Sequence, residues 1–126
     1  MLLAVAEQQG IRSDVIPGIA TGFCSGFART GGLCGAVSGA VMGIGLALGR
    51  KEPGAPVDAA YTAVRSFVER FEAQFGARTC LELTGVHLGT PEGQAIFHEK
   101  DLFSRCLEYA SAAAEMATQA IEENKV

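Results

Sequence analysis

Four cysteines and two histidines are the side chains in this sequence that could do redox or metal chemistry. They are Cys24, Cys34, Cys80, Cys106, His87 and His98. Thiolates are nucleophiles and bind soft metals, and imidazoles complete many metal sites. The sequence contains no Cys-x-x-Cys pair, which argues against a thioredoxin-like motif and a zinc ribbon. It also lacks Cys-x-x-Cys-His, which by that criterion excludes covalent attachment of a c-type haem.

Two of the cysteines, Cys34 and Cys80, are predicted to lie in the first turn of a helix. The exposed N–H groups and partial positive charge of a helix start lower the pKa of a thiol. We therefore expect Cys34 to be the most nucleophilic thiol, with a pKa below the value of about 8.5 for free cysteine. Cys106 lies on an apolar helix face and Cys24 among small residues, where packing as a small hydrophobe is the alternative.

The candidate catalytic residues are Cys34, Cys80 and Cys106, which we expect to gather in one region. We predict that at least one pair, first of all Cys34 and Cys80, lies within the Cα separation of about 4.4–6.8 Å that a disulfide requires. The same three thiols are candidate metal ligands, with Cys24 or His87 as an additional ligand. The sequence gives no support for a phosphate-binding loop, a pair of catalytic carboxylates or a serine nucleophile elbow.

Glycines at four-residue spacing are the strongest pattern that could position these thiols. The two series are Gly18, Gly22, Gly26 and Gly31, Gly35, Gly39, Gly43. Residues i and i+4 share a helix face, so a bare stripe lets another backbone or a flat ligand approach closely. The spacing predicts helices over 15–28 and 33–48 that form a glycine-packed central αα-hairpin, with axes closer than the usual ~8–10 Å. Gly35 and Gly39 are the candidate cofactor-binding positions.

The rest of the chain also predicts helices, which makes one all-α domain over 1–126. We expect a compact bundle of about five to seven helices, the first of them incomplete at its N-terminus. No segment alternates with period two, so no strands are predicted. The further helices are 58–75, with Asp58 as cap and Gly76 as stop; 79–85, opened by a Thr-Cys-Leu-Glu capping box; one opened by Thr90-Pro91; and 101–122.

The amino-acid composition limits the classes of partner that the protein could bind. The net charge of −4 excludes nucleic acid, which needs a basic face, and the hydrophobic content of 48% is enough for a buried core. Residues 30–49 carry no charge over 20 positions, about the minimum length of a membrane span. Amphipathic helices follow, so a buried hairpin in a soluble bundle is favoured over a membrane span. Because the sequence has no signal-peptide core, we expect a cytoplasmic protein with reduced thiols. The sequence is also compatible with a homo-oligomer.

The segment Cys34–Gly39 reads CGAVSG, and two cysteines follow it at Cys80 and Cys106. Together with the 67–71 helix and the 80–85 stretch, this resembles the family of proposed redox-active proteins named for its C…GCAxxG…C…C pattern. The likeness covers most of the chain and implies a helical fold with a thiol cluster. It places Cys34, Cys80 and Cys106 at family cysteine positions. The family's first cysteine is missing, so either the chain is truncated or this member lacks that thiol, with Cys24 as a stand-in.

Three functions follow from these observations. The first is thiol–disulfide or electron-transfer chemistry with a redox partner protein or a small thiol, which would make the protein a thiol oxidoreductase. The second is a metal or iron–sulfur binding module with thiolate ligands. The third is a helical interaction module whose cysteines only pack.

Overall fold

Helices account for every regular element in residues 1–125, the part of the chain that the computed structural model describes. The elements are α1 (Leu2–Gln8), a 3-10 helix (Gly18–Phe23), α2 (Cys24–Arg29), α3 (Gly35–Leu48), α4 (Asp58–Phe75), α5 (Cys80–Thr84), α6 (Pro91–Glu99) and α7 (Phe103–Asn124). Within that range there is no strand, only an isolated bridge between Leu33 and Thr79. The all-α prediction is confirmed. Among the described residues, no helix combines the length and apolar character needed to cross a membrane.

The core lies where α3, α4 and α7 pack against one another. The largest fully buried side chains include Phe67 and Phe71 of α4, Ile44 of α3 and Ile121 of α7. Phe67 and Phe71 are four residues apart and so share one helix face. At the end of α4 that lies nearer the cysteines, Phe71 and Phe75 contact the ring of Tyr109 on α7.

Two helix starts follow the predicted capping chemistry. The hydroxyl of Thr79 accepts a hydrogen bond from the Glu82 N–H (3.2 Å) and opens α5. The hydroxyl of Thr90 accepts one from the Gly93 N–H (3.0 Å), and Pro91 takes the first position of α6. These caps satisfy N–H groups that have no partner inside the helix.

The ends of α4 and α7 differ slightly from expectation. Gly76 ends α4 in the left-handed conformation (φ +79°), as predicted. At the other end the capping position belongs to Val57, so Asp58 lies in the first turn and does not cap the helix. The last helix runs from Phe103 to Asn124, two residues later at each end than the predicted 101–122.

The predicted helix over 15–28 is wrong, and with it the predicted hairpin. A 3-10 helix of six residues occupies Gly18–Phe23 and buries none of them. After Cys24 the backbone changes hand, and residues 25–29 all have φ between 53° and 68°. A Cβ on Gly18 or Gly22 would meet nothing within 4 Å, so no partner covers these two positions. Glycine lowers the stability of an α-helix, and close packing against a partner can offset that cost. Where no partner covers the glycines, an α-helix is not stabilised.

The glycines of α3 do mediate a close approach, but their partner is α1. A Cβ on Gly39 would lie 2.6 Å from the Cβ of Met1, and one on Gly43 would lie 2.6 Å from the Cβ of Val5. Real Cβ atoms do not approach this closely, so the missing side chains let α1 lie directly on α3. The glycine pattern therefore correctly indicated a tight crossing and misidentified the second helix.

Gly39→Ala tests this contact. The added methyl group would push against Met1, so we expect the free energy of unfolding to fall by about 1–3 kcal/mol, as in other overpacked sites. Gly45→Ala in the same helix is the matched control, because a Cβ there meets nothing within 4 Å. It should be neutral or stabilise by up to about 1 kcal/mol through helix propensity. Equal urea midpoints for the two variants would contradict the packing of α1 on α3.

Candidate functional site

All four cysteines line one cleft of about 460 Å³. They come from four different parts of the chain: α2, the start of α3, α5 and α7. The structure thus brings together the three candidate catalytic thiols, and Cys24 with them, while their chemical roles stay predictions. The wall of the cleft also includes the aromatic residues Phe97, Phe103 and Tyr109 and the polar residues Ser25, Arg29, Thr84, Gln94 and His98.

A short backbone pairing fixes Cys34 and Cys80. The Cys34 N–H donates to the Arg78 carbonyl (2.8 Å), and the Cys80 N–H donates to the Gly32 carbonyl (2.7 Å). These bonds flank the antiparallel bridge between residues 33 and 79. Cys34 and Cys80 are therefore diagonal neighbours on one side of the pairing, a relation that typically separates two residues by about 7–8 Å. Only a small further approach brings such a pair into disulfide range.

The left-handed turn of α2 closes the cleft beside Cys80. A Cβ on Gly26 would lie 3.2 Å from the Cys80 sulfur and would also collide with the Cys80 Cβ. The Gly26 carbonyl accepts hydrogen bonds from the Gly32 N–H (2.9 Å) and from both the N–H (3.2 Å) and the hydroxyl (3.1 Å) of Thr30. Glycine is required at position 26 for two reasons: φ is +67°, and there is no room for a side chain.

The other two thiols, Cys106 and Cys24, differ in exposure. Cys106 is half-buried on α7, and Cys24 is exposed at the start of α2, with its sulfur 3.8 Å from the Ala20 carbonyl. A Cβ on Gly35 would lie 3.6 Å from the Cys24 Cα, so Gly35 lines the cleft where Cys24 passes. The predicted role of Gly39 is corrected, because its α-carbon faces α1 and lies outside the cleft wall.

The two histidines differ in their position relative to the cleft. His98 on α6 lines the cleft, whereas His87 does not, and the Nδ1 of His87 accepts a hydrogen bond from the Gly89 N–H (3.0 Å). In the described part of the chain, no three or more His, Cys, Asp or Glu side chains are arranged to hold a metal ion. The predicted metal set of Cys34, Cys80 and Cys106, with Cys24 or His87, therefore has no preformed ligand geometry in residues 1–125.

Burial raises the pKa of Cys34, although the N–H groups of Ala36 and Val37 act to lower it. The expectation of a lowered pKa at this helix start is wrong. The N–H groups of the helix start do contact the thiol, but loss of water disfavours the thiolate more strongly than they favour it.

The other two clustered thiols show the same balance. Burial raises the pKa of Cys80, the neighbouring Cys34 raises it further, and the Thr84 hydroxyl lowers it. Burial raises the pKa of Cys106, with Cys34 and then Cys80 adding to the effect. These mutual influences show that the three sulfurs share one electrostatic environment. At neutral pH all three are protonated, and ionisation of one makes ionisation of the others harder.

Several cleft residues were not predicted from the sequence, among them Tyr109 and Arg29. Tyr109 is buried, and its hydroxyl donates to the Leu83 carbonyl (3.0 Å). Its position three residues after Cys106, on the same helix face, is a signal that could have identified it. Arg29 reaches the cleft through the left-handed turn, for which the sequence carries no recognisable signal.

Comparison with known proteins identifies one family. A family model described as "Putative redox-active protein (C_GCAxxG_C_C)" matches residues 1–120. The match spans almost the whole chain and includes all four cysteines of the cleft. No curated protein and no solved structure matches the chain.

Alkylation by iodoacetamide tests the raised thiol pKa values. We expect the rates at Cys34, Cys80 and Cys106 to keep rising as the pH passes about 9, without a plateau near neutrality, because the thiolate is the reacting form. Cys80 should react slowest, since it is 7% exposed. Site-resolved mass spectrometry gives the three profiles. A plateau for Cys34 below about pH 8 would show that the helix start dominates over burial.

The same pKa shifts predict the pH dependence of stability. A thiol whose pKa is higher in the folded than in the unfolded protein contributes its stability fully below the unfolded pKa of about 8.5. That contribution is lost as the pH rises through the folded pKa. In the presence of a reductant, the free energy of unfolding should therefore decline as the pH rises above about 8.5. Cys106→Ala should make the decline shallower, and an identical slope in both proteins would contradict a raised pKa of Cys106.

Proposed function

Because the chain belongs to the family described as "Putative redox-active protein (C_GCAxxG_C_C)", we propose that its cleft thiols perform reversible thiol–disulfide exchange. The observation that supports this most directly is the pairing of residues 32–34 with 78–80, which holds Cys34 and Cys80 as diagonal neighbours in one cleft. Both thiols are free in the structure.

The exchange proceeds in two steps with an oxidised partner, R–S–S–R. The Cys34 thiol loses its proton and attacks one sulfur of the partner, which forms a mixed disulfide and releases one R–S⁻ that takes up that proton. The Cys80 thiol then attacks the Cys34 sulfur, closes the Cys34–Cys80 disulfide and releases the second R–SH. Two protein thiols are oxidised and one partner disulfide is reduced, so two electrons and two protons pass to the partner.

Cys106 gives the cleft a third thiol. Its ionisation is coupled to both Cys34 and Cys80, so it lies within the electrostatic range of either sulfur. In the oxidised protein it can attack the Cys34–Cys80 disulfide and shift the bond to a new pair. We assign the role of exchange partner to a redox protein or a small thiol. In the reverse reaction the reduced partner returns the two electrons to the protein disulfide.

Disulfide mapping tests the proposed pair. On titration with mixtures of reduced and oxidised dithiothreitol, the denatured protein should show four reactive thiols at the reducing end and two at the oxidising end. Peptide analysis should recover a Cys34–Cys80 linkage. Cys34→Ser and Cys80→Ser should each abolish that linkage, while Cys24→Ser, which removes the exposed thiol, is the matched control and should retain it.

Two results would contradict thiol–disulfide exchange in the cleft. One is a count of four thiols throughout the titration. The other is oxidation that links separate molecules only, because the pairing of residues 32–34 with 78–80 favours a bond within one chain.

A further inference from the structure

The cleft combines buried thiols with charged side chains of one sign, which is positive. None of its lining residues is Asp or Glu, although the chain contains 14 acidic residues and has a net charge of −4. Its one charged side chain is Arg29, and His98 adds an imidazole. Within residues 1–125 the Arg29 side chain forms no ion pair with an acidic side chain. An anionic group at Arg29 would therefore meet an available guanidinium and no competing or repelling carboxylate.

The cation and the sulfurs lie at different depths. Cys80 is 7% exposed, whereas Arg29 is exposed at the end of the left-handed turn. Arg29 therefore lies nearer to solvent than the Cys80 sulfur, at the mouth of the cleft, and a ligand that uses both must extend from one to the other.

The size of the cleft favours a small molecule. Its volume of about 460 Å³ falls in the range of roughly 300–1,000 Å³ typical of small-ligand sites. The aromatic side chains of Phe97, Phe103 and Tyr109 give it apolar walls.

We propose that the exchange partner of this cleft is a small disulfide that carries a carboxylate. The carboxylate pairs with Arg29, and the S–S bond extends along the apolar walls to Cys34 and Cys80. This inference rests on the proposed thiol–disulfide exchange and specifies its substrate class. The reaction balances as before: the small disulfide accepts two electrons and two protons and leaves as two thiols, while Cys34 and Cys80 become a disulfide.

The test compares three small disulfides of similar size and different charge: dithiodipropionate, hydroxyethyl disulfide and cystamine. They are anionic, neutral and cationic at neutral pH. The reduced protein is mixed with each, and the loss of the Cys34 and Cys80 thiols is followed by quenching and mass spectrometry. Each rate is divided by the rate of the same reagent with a free cysteine peptide, which removes differences in intrinsic reactivity.

We expect the normalised rate to fall in the order anionic, neutral, cationic. The anionic reagent should exceed the neutral one by about two- to fivefold, as an ion pair with an exposed side chain would give. Arg29→Gln should remove this advantage and leave the neutral reagent unaffected, and Arg29→Lys should restore part of it. Arg65→Gln, which removes an exposed charge from α4, is the matched control and should behave as the parent.

The outcomes distinguish the two proposals. Equal normalised rates for all three reagents, with a Cys34–Cys80 disulfide as product, would overturn the carboxylate inference and leave thiol–disulfide exchange standing. An anionic preference that survives Arg29→Gln in a variant with the parent's circular dichroism spectrum and melting temperature would also overturn it. Failure of every reagent to produce a disulfide in the cleft would overturn thiol–disulfide exchange itself.

Discussion

The two backbone hydrogen bonds between residues 32–34 and 78–80 hold the site together. They join the start of α3 to the start of α5, although the whole of α4 lies between them in sequence. Both helices that meet at this pairing are anchored in the core, because α3 packs on α4 and α7 and the Tyr109 hydroxyl binds the Leu83 carbonyl of α5. Since the bonds involve backbone atoms, they position Cys34 and Cys80 whatever the state of the thiols. The fold therefore keeps the two cysteines as diagonal neighbours, and a disulfide between them requires only a small further approach.

The left-handed turn of α2 is the costly part of this arrangement. For residues other than glycine, a left-handed helical conformation costs roughly 1–2 kcal/mol each, and Ser25, Phe27, Ala28 and Arg29 all adopt it. The three hydrogen bonds accepted by the Gly26 carbonyl offset part of that cost. The backbone of the turn packs against Cys80 and forms one wall of the cleft. The same turn places Arg29 at the mouth of the cleft. Backbone strain of this kind is concentrated at functional sites in proteins, which agrees with its position beside the buried thiol.

How far the sequence predicts this protein depends on whether the relevant interaction is local. Thr79, Thr90 and Gly76 act within one turn of their own helix, and each was correctly predicted to start or stop it. The apolar stripe of α4 was equally readable, because Phe67 and Phe71 repeat with the helical period. The segment 15–28 was misread because glycine spacing shows that something can approach but not what does. The α3 glycines Gly39 and Gly43 are covered by α1, whereas Gly26 is covered by Cys80, and Gly18 and Gly22 are covered by nothing. The pKa of Cys34 was mispredicted because burial is a property of the whole fold and outweighs the local N–H groups.

The coupling among the three thiols has a consequence for the proposed exchange. In the reduced protein, Cys34 and Cys80 both raise the pKa of Cys106, in addition to the effect of burial. A disulfide between Cys34 and Cys80 carries no ionisable group, so its formation removes both of these influences. Removal of these influences matters only at a pH where Cys34 or Cys80 is ionised, because a neutral thiol places no charge beside Cys106. At neutral pH all three thiols are protonated, and burial still raises the pKa of Cys106 in the oxidised protein. Because the thiolate is the attacking species in disulfide exchange, attack by Cys106 on a Cys34–Cys80 disulfide should become faster as the pH rises above neutrality.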